Sequence, residues 1–204
     1  LDVGCADRSI AGLVSSRGVR YFGVEYPVWQ DLYSIVTVKE RPDSWIDIMH
    51  SGLLSDKFDV IMMIDVLEHI SNPDRALREC YRSLRDGGTI ILLVPFFIEL
   101  HGGTEGEEDF VRITPSGFDA FLERAGFVDI NTEKLGHFGD ALVSLTSGFF
   151  LRNYFASKGL ASALYFIFAV ISCLVLYPLR FVLNSTDLVQ RNPTHIAAVA
   201  RKKR

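Results

Sequence analysis

Three groups of residues have types and spacings suited to chemistry. In the first, Leu1-Asp-Val-Gly-Cys-Ala-Asp7 runs an apolar stretch into a glycine turn, and Glu25 follows 21 positions after Gly4. Glu25 also closes a second apolar run, Val19–Val24. In a βαβ unit that pattern sets a tight turn beside a carboxylate at the end of the next strand. Backbone there approaches a nucleotide-like ligand closely, and the carboxylate accepts from ribose hydroxyls. In the second group, Asp65, Glu68 and His69 stand at i, i+3 and i+4 and share one helical face or turn. The third lies in the glycine-rich, charged segment from Pro95 to Arg112, which holds His101, Asp109 and Arg112. Imidazoles and carboxylates of this kind can take up a proton near neutral pH.

The elements that must position these residues alternate along the chain. Strands are expected at Leu1–Val3, Val19–Val24, near Trp45–Ile48, at Phe58–Ile64 and at Thr89–Val94. The last two are near-continuous Val, Ile, Leu and Met, as in strands covered on both faces of a parallel sheet. Asn72 as cap, Pro73 at the first position and Asp74 mark a helix with Leu77, Cys80, Tyr81 and Leu84 on one face; Gly87-Gly88 is expected to stop it. Thr114-Pro115 opens another helix, which buries Phe118, Phe121, Leu122 and Ala125 and ends at Gly126, and Phe127–Ile130 returns as a strand. Strict alternation of strand and helix predicts an α/β fold with a doubly wound, mostly parallel sheet.

Composition narrows the partners. Of 204 residues, those from 1 to 147 carry 13 Lys and Arg against 24 Asp and Glu, a net charge of −11. Residues 148–204 carry 8 against 1, a net +7. The acidic body argues against nucleic acid, and the basic, apolar tail suits anionic lipid headgroups. Cys5, Cys80 and Cys173 lack metal spacing and point to a reducing compartment without disulfides. The chain opens inside an apolar strand without Met, so preceding residues, including a helix over one sheet face, are expected to be missing.

Five pieces together resemble the class I S-adenosylmethionine (SAM)-dependent methyltransferases, in the group with a single small domain. They are Leu1-Asp-Val-Gly-Cys5, Phe22-Gly-Val-Glu25, Phe58-Asp-Val-Ile-Met-Met-Ile-Asp-Val-Leu-Glu-His69, Leu84-Arg-Asp-Gly-Gly-Thr-Ile-Ile-Leu-Leu-Val-Pro95 and Arg124-Ala-Gly-Phe127. The resemblance covers roughly residues 1–130. It implies a Rossmann-like fold and SAM as cofactor. It also implies that Asp2, Gly4, Cys5 and Ala6 form the wall under the methionine part and that Glu25 holds the ribose, with Tyr26 beside the adenine. Asp47 would accept from the adenine amino group, with Ile48 packed on the ring, and Asp65 and Val66 would line the sulfonium side. The plainer role of Asp65 is to cap the following turn. Ala6 departs from the family, which usually has a second glycine there. A nicotinamide enzyme would want a third glycine where Ser9 or Ile10 stands.

The resemblance also implies that the cofactor carries the chemistry while the protein aligns the acceptor and removes a proton. The pattern Pro-Phe…His…Asp-Phe-x-Arg-x-Thr-Pro resembles a segment of methyltransferases of glycan and natural-product modification. In it, His101 is the candidate base, with Asp109 and Arg112 positioning it or the acceptor. The competing role for Asp109 and Arg112 is a pair that stitches the loop. Some similar methyltransferases hold a divalent cation on Glu-x-x-Glu-His. Leu-Glu-His also occurs where no metal is known, so hydrogen bonding is expected of Asp65, Glu68 and His69, and no metal is assigned.

From Gly159 to Tyr177 there is no charge. As a helix, Leu160–Tyr177 reaches about 27 Å, just short of a ~30 Å hydrocarbon core. Thr194–Lys202 looks like the last strand of such a methyltransferase sheet. If it pairs there, both ends of the apolar segment lie on one side of a membrane. The consistent arrangements are a hairpin with Ala141–Phe155 as second arm, or a helix in the interface. A single crossing requires that Thr194–Lys202 lie outside the sheet, and a hydrophobic helical cap on a homodimer is the rival.

The expectation is therefore a SAM-binding methyltransferase domain over 1–140, an apolar helical insertion over 141–192 and a last strand with basic tail over 193–204. It would act on a small, lipid-linked or glycan acceptor at the cytoplasmic side of a membrane, reached through residues 141–183. The alternative is a degenerate SAM-binding domain that serves as a membrane interaction module.

Overall fold

The structure, a computed structural model, describes residues 1–30, 40–100, 108–186 and 192–204. Among them the elements run β1 (Asp2–Val3), α1 (Ala11–Ser15), β2 (Gly23–Glu25), β3 (Ser44–Trp45), β4 (Phe58–Ile64), α2 (Pro73–Ser83) and β5 (Leu84–Pro95). They continue with α3 (Pro115–Ala125), β6 (Phe127–Leu135), α4 (Phe138–Ala156), α5 (Gly159–Thr186) and β7 (His195–Lys202). Seven strands form one sheet in the order β3-β2-β1-β4-β5-β7-β6. β1 pairs in parallel with both β2 and β4, β2 with β3, and β4 with β5. The winding reverses at β1, and ligands of such sheets bind beyond the carboxyl ends of the strands at that switch point. This is the expected doubly wound architecture, with the apolar insertion before the last strand.

Local chemistry sets the helix ends. The Asn72 side chain accepts from the Arg75 N–H at 3.1 Å, and the Thr114 hydroxyl from the Gly117 N–H at 3.1 Å. Leu77, Cys80, Phe118 and Leu122 are fully buried, and α3 stops at Gly126 in the left-handed region (φ 100°). The glycine pair after α2 does something else than stop a helix. α2 ends at Ser83, Leu84 already pairs with Phe58, and Gly87-Gly88 lies inside β5 at a register shift opposite Phe58 and Val60. A Cβ on Gly88 would stand 3.1 Å from the Asp59 carbonyl oxygen, so the bulge keeps the position small.

One sheet face is more open than the continuous apolar runs of β4 and β5 imply by themselves. Ile61, Met63, Ile90 and Leu92 are buried, but Val60, Ile64 and Ile91 on the opposite side are exposed among the described residues. Val60 and Ile91 border a groove of about 870 Å3 whose lining includes Leu1, Val19, Phe22 and Leu54.

The chain divides into two compact units. The first comprises Leu1–Val94, His101–Glu133 and Ala197–Arg204, and the second Pro95–Leu100 and Lys134–Ile196. Within the second, α4 and α5 form an antiparallel hairpin. Asp140 bonds Arg180 (3.4 Å) and Asn184 (2.9 Å), Ser147 meets Cys173 (3.4 Å), Phe150 stacks on Phe168, and the Ser162 hydroxyl donates to the Tyr154 carbonyl (3.2 Å). The two ends of the insertion meet: the Thr194 N–H donates to the Leu135 carbonyl at 2.9 Å.

Candidate cofactor and acceptor site

The site grows from the turn after β1. Gly4 and Cys5 both donate their N–H to the Val24 carbonyl, at 2.9 and 3.1 Å, which pins the turn to β2. Gly4 has φ +74°, and a Cβ built on it would stand 2.2 Å from Val66 Cγ2. Both the backbone conformation and the closeness of Val66 require glycine here. The turn continues through Ala6 (φ 44°) and Arg8 (φ 59°), left-handed conformations that are costly for side-chain-bearing residues. Such strain concentrates where backbone is shaped for a ligand.

Glu25 terminates β2 beside this turn. Its carboxylate accepts from the Ala6 N–H and from the Tyr26 N–H, both at 2.9 Å. Burial holds its pKa above the ordinary glutamate range, while these two bonds pull the other way. Two bonds leave lone pairs on both oxygens, so the group is able to accept two further hydroxyls. Asp2 is buried and receives the Tyr21 hydroxyl at 2.5 Å; burial raises its pKa as well. Burial and the Glu25 and Asp2 charges push the Cys5 thiol up to about 12, so it stays a neutral apolar wall.

Asp47 lies one residue beyond Ile46, whose N–H donates to the Glu25 carbonyl at 2.8 Å. The structure shows a local task for it: Asp47 caps the short 3-10 turn Ile48–His50, accepting from the Met49 N–H at 2.9 Å and facing His50 Nδ1 at 3.0 Å. Ile48 is buried. Asp65, at the end of β4, is also left-handed (φ 52°), and its N–H donates to the Leu93 carbonyl. Val66 then opens the 3-10 turn Leu67–His69 and fills the space against Gly4.

That turn joins two groups which the sequence left separate. His69 Nδ1 stands 3.6 Å from Asp109 Oδ1, His69 Nε2 3.7 Å from Glu68 Oε1, and the Phe110 N–H donates to the Glu68 carbonyl at 2.8 Å. Asp109 in turn receives the Arg112 guanidinium at 2.5 Å. Glu68 is fully buried. One donor atom each from Glu68, His69 and Asp109 lies within 4.8 Å of the others, a mixed carboxylate and imidazole set of the kind able to hold a divalent cation. Arg112 already offsets the Asp109 charge, so the arrangement also stands as a hydrogen-bonded polar cluster. His101 falls outside the described residues.

Arg8 went unnoticed in the sequence. It bonds Asp43 at 2.8 Å and the Arg41 carbonyl at 3.2 Å and lies over the Tyr21 ring, while Asp43 also accepts from the Gly23 N–H. It clamps the strained turn to the segment entering β3. Its place just after the turn was the only signal, and a partner 35 residues away is invisible in the sequence.

Comparison with known proteins agrees with this geometry. A family model described as a methyltransferase domain matches residues 1–160. The ubiquinone biosynthesis O-methyltransferase of Pseudomonas entomophila is 24% identical over 98 residues, covering 44% of this chain and 41% of that protein. The same enzyme of Pseudomonas fluorescens is 28% identical over 135 residues, 59% and 55% of the two chains. The chain thus spans about half the length of the curated relatives it matches. In fold it is similar to phosphoethanolamine N-methyltransferase 2 of Haemonchus contortus, solved with S-adenosyl-L-methionine (TM-score 0.61, 16% identity, 100% of this chain and 48% of that one). It is also similar to a SAM-dependent methyltransferase of Archaeoglobus fulgidus (TM-score 0.59, 17% identity, 98% and 84%). With the matched model covering most of its length, the strand order of the sheet and the turn set against Glu25, the chain belongs to the methyltransferase domain family.

Proposed function

We propose that this chain is a SAM-dependent methyltransferase that acts at a membrane on a small, lipid-linked or glycan acceptor. The observation that carries the reading is the cradle at the switch point: Gly4 with no room for a Cβ, beside a carboxylate held by the Ala6 and Tyr26 N–H groups. These residues fit SAM. Bound there, the cofactor supplies an activated methyl group on its sulfonium. Glu25 accepts the ribose hydroxyls with Tyr26 beside the adenine, Asp47 and Ile48 close the adenine end, and Asp2, Gly4, Cys5 and Ala6 form the methionine wall. Asp65 and Val66 border the reacting side. His101 takes the acceptor's proton, and Asp109 and Arg112 position it or the acceptor. An oxygen acceptor on a lipid-like molecule agrees with the ubiquinone biosynthesis O-methyltransferases among the relatives.

The membrane part of the proposal draws on α5, long and apolar enough to cross a bilayer by length and composition, and almost wholly exposed. Attachment to the cytoplasmic side is proposed with it. A degenerate SAM-binding module without turnover is the second reading, favoured by Ala6, a residue with a Cβ in a left-handed position that suits glycine.

Calorimetry of SAM and S-adenosylhomocysteine binding, followed by an acceptor screen with radiolabelled SAM on membrane lipids and glycan precursors, tests the proposal. Micromolar binding with methyl incorporation supports it. Binding without incorporation into any acceptor supports the module, and absence of binding defeats both.

A further inference from the structure

Helix α5 is inverted relative to a helix of a water-soluble protein. The buried positions of α5 are small ones, Ala169 and Ser172; toward α4, Ser162 bonds the Tyr154 carbonyl, Cys173 meets Ser147 and Phe168 stacks on Phe150. The opposite stripe, Leu160, Leu164, Ile167, Ile171, Leu174 and Phe181 at helical spacing, is exposed, Leu160 at 78% and Leu174 at 71%. Small residues at the buried positions and large apolar ones outside are the packing pattern of helices surrounded by lipid. No charge falls between Lys158 and Arg180.

The seat of α4 decides how such a hairpin meets a bilayer. Phe96 and Phe97 donate their N–H groups to the carbonyls of Thr194 and Pro193, so this segment starts at the base of the hairpin. Two residues later Glu99 pairs with Arg152 at 2.8 Å, and a Cβ on Gly148 would stand 2.7 Å from its carboxylate. The segment thus covers α4 to within about one turn of its end at Ala156. Insertion tip-first through one leaflet, ~15 Å or half a hydrocarbon core, would bury the last ~10 residues of α4 at 1.5 Å each. That drags Arg152, Glu99 and Lys158 into hydrocarbon, where charges are costly. With the hairpin flat, only the apolar stripe of α5 enters, and Lys158 and Arg180 remain among headgroups at its two ends.

Resting on the membrane reading above, we infer that the α4–α5 hairpin lies parallel to the bilayer surface. α5 sits in one leaflet and α4 lies on its headgroup side. The net +7 of residues 148–204 suits an anionic surface.

The experiment uses the full chain with Cys173→Ser, since Cys5 and Cys80 are buried, and single cysteines at Ser157, Leu164, Ile171 and Phe181. Each carries an environment-sensitive fluorophore and is mixed with phosphatidylglycerol–phosphatidylcholine vesicles holding quenchers at two depths. A flat hairpin gives the same shallow depth at 164, 171 and 181. Depth that increases from 181 through 171 to 164 and 157 overturns the inference while leaving membrane attachment standing. Failure of the unlabelled chain to float with vesicles, together with a dimer by sedimentation equilibrium, overturns attachment itself. As an independent arm, Ile171→Glu with Leu174→Glu loses vesicle binding by about tenfold or more, with SAM affinity unchanged; undiminished flotation of that variant counts against α5 as the lipid contact.

Discussion

Ala6 sits in a left-handed conformation and yet offers the N–H that Glu25 accepts. The conformation costs a residue with a Cβ ~1–2 kcal/mol, and glycine returns ~0.5–1 kcal/mol of that as unfolded-state entropy. Ala6→Gly is therefore expected to gain up to ~1 kcal/mol, a rise in Tm of ~2–4 °C for a chain of this size; an unchanged or lower Tm by calorimetry would show the turn to be unstrained. Gly4→Ala meets both a positive φ and Val66 and should abolish SAM binding while the far-UV circular dichroism stays native.

Glu25→Ala should weaken SAM by ~1–3 kcal/mol, since partners lose a charged acceptor. The pH dependence follows from the raised pKa of Glu25. An ionised carboxylate is the better acceptor, so affinity is full above the folded-state pKa and falls as pH drops through it, at a pH above the ordinary glutamate range. For stability the sign is opposite. The fold favours the protonated form, and its contribution is lost as pH rises from the unfolded value through the folded one. Titrating SAM affinity against pH in wild type and Glu25→Gln checks this, because the variant should show no such step.

Among the elements, what the sequence made legible was whatever is coded within a few residues: the Asn72 and Thr114 caps, the Gly126 stop and the runs that became β4 and β5. Gly87-Gly88 misled because a glycine pair after an amphipathic helix signals a helix end, whereas here it makes a bulge against Asp59 that only the strand pairing defines. A continuous apolar run does not say how many of its faces are covered, so the partly open sheet face does not follow from the β4 and β5 runs themselves. The site was legible in pieces. Glu25 stands beside the turn as its spacing implied, but His69 meeting Asp109 and Arg8 meeting Asp43 link residues 35–40 positions apart, with no local signal. Asp47 shows how an acid can have a turn to cap as well as the ligand role expected of it. A double-mutant cycle on Asp109→Asn and Arg112→Met should return coupling of ~1–3 kcal/mol in stability, as fits a half-buried charged bond; additive losses would leave both residues to the acceptor alone.

On the scale of the whole molecule, the insertion is closed off where Leu135 bonds Thr194. Replacing residues 138–192 by a short Gly/Ser linker should leave thermal unfolding cooperative and SAM binding intact but remove the protein from vesicles in flotation. Loss of the cooperative transition would mean that the hairpin is part of the core.

The strand order has a consequence for synthesis. Among the described strands β6 stands at the sheet edge beside β7, which follows it in the chain only after the hairpin. Between them the ribosome must make the whole hairpin. β6 therefore waits without this partner until the hairpin and β7 have both been made, so closure of this edge of the sheet follows synthesis of α4 and α5. A chain released before His195 would hold the hairpin without a finished sheet.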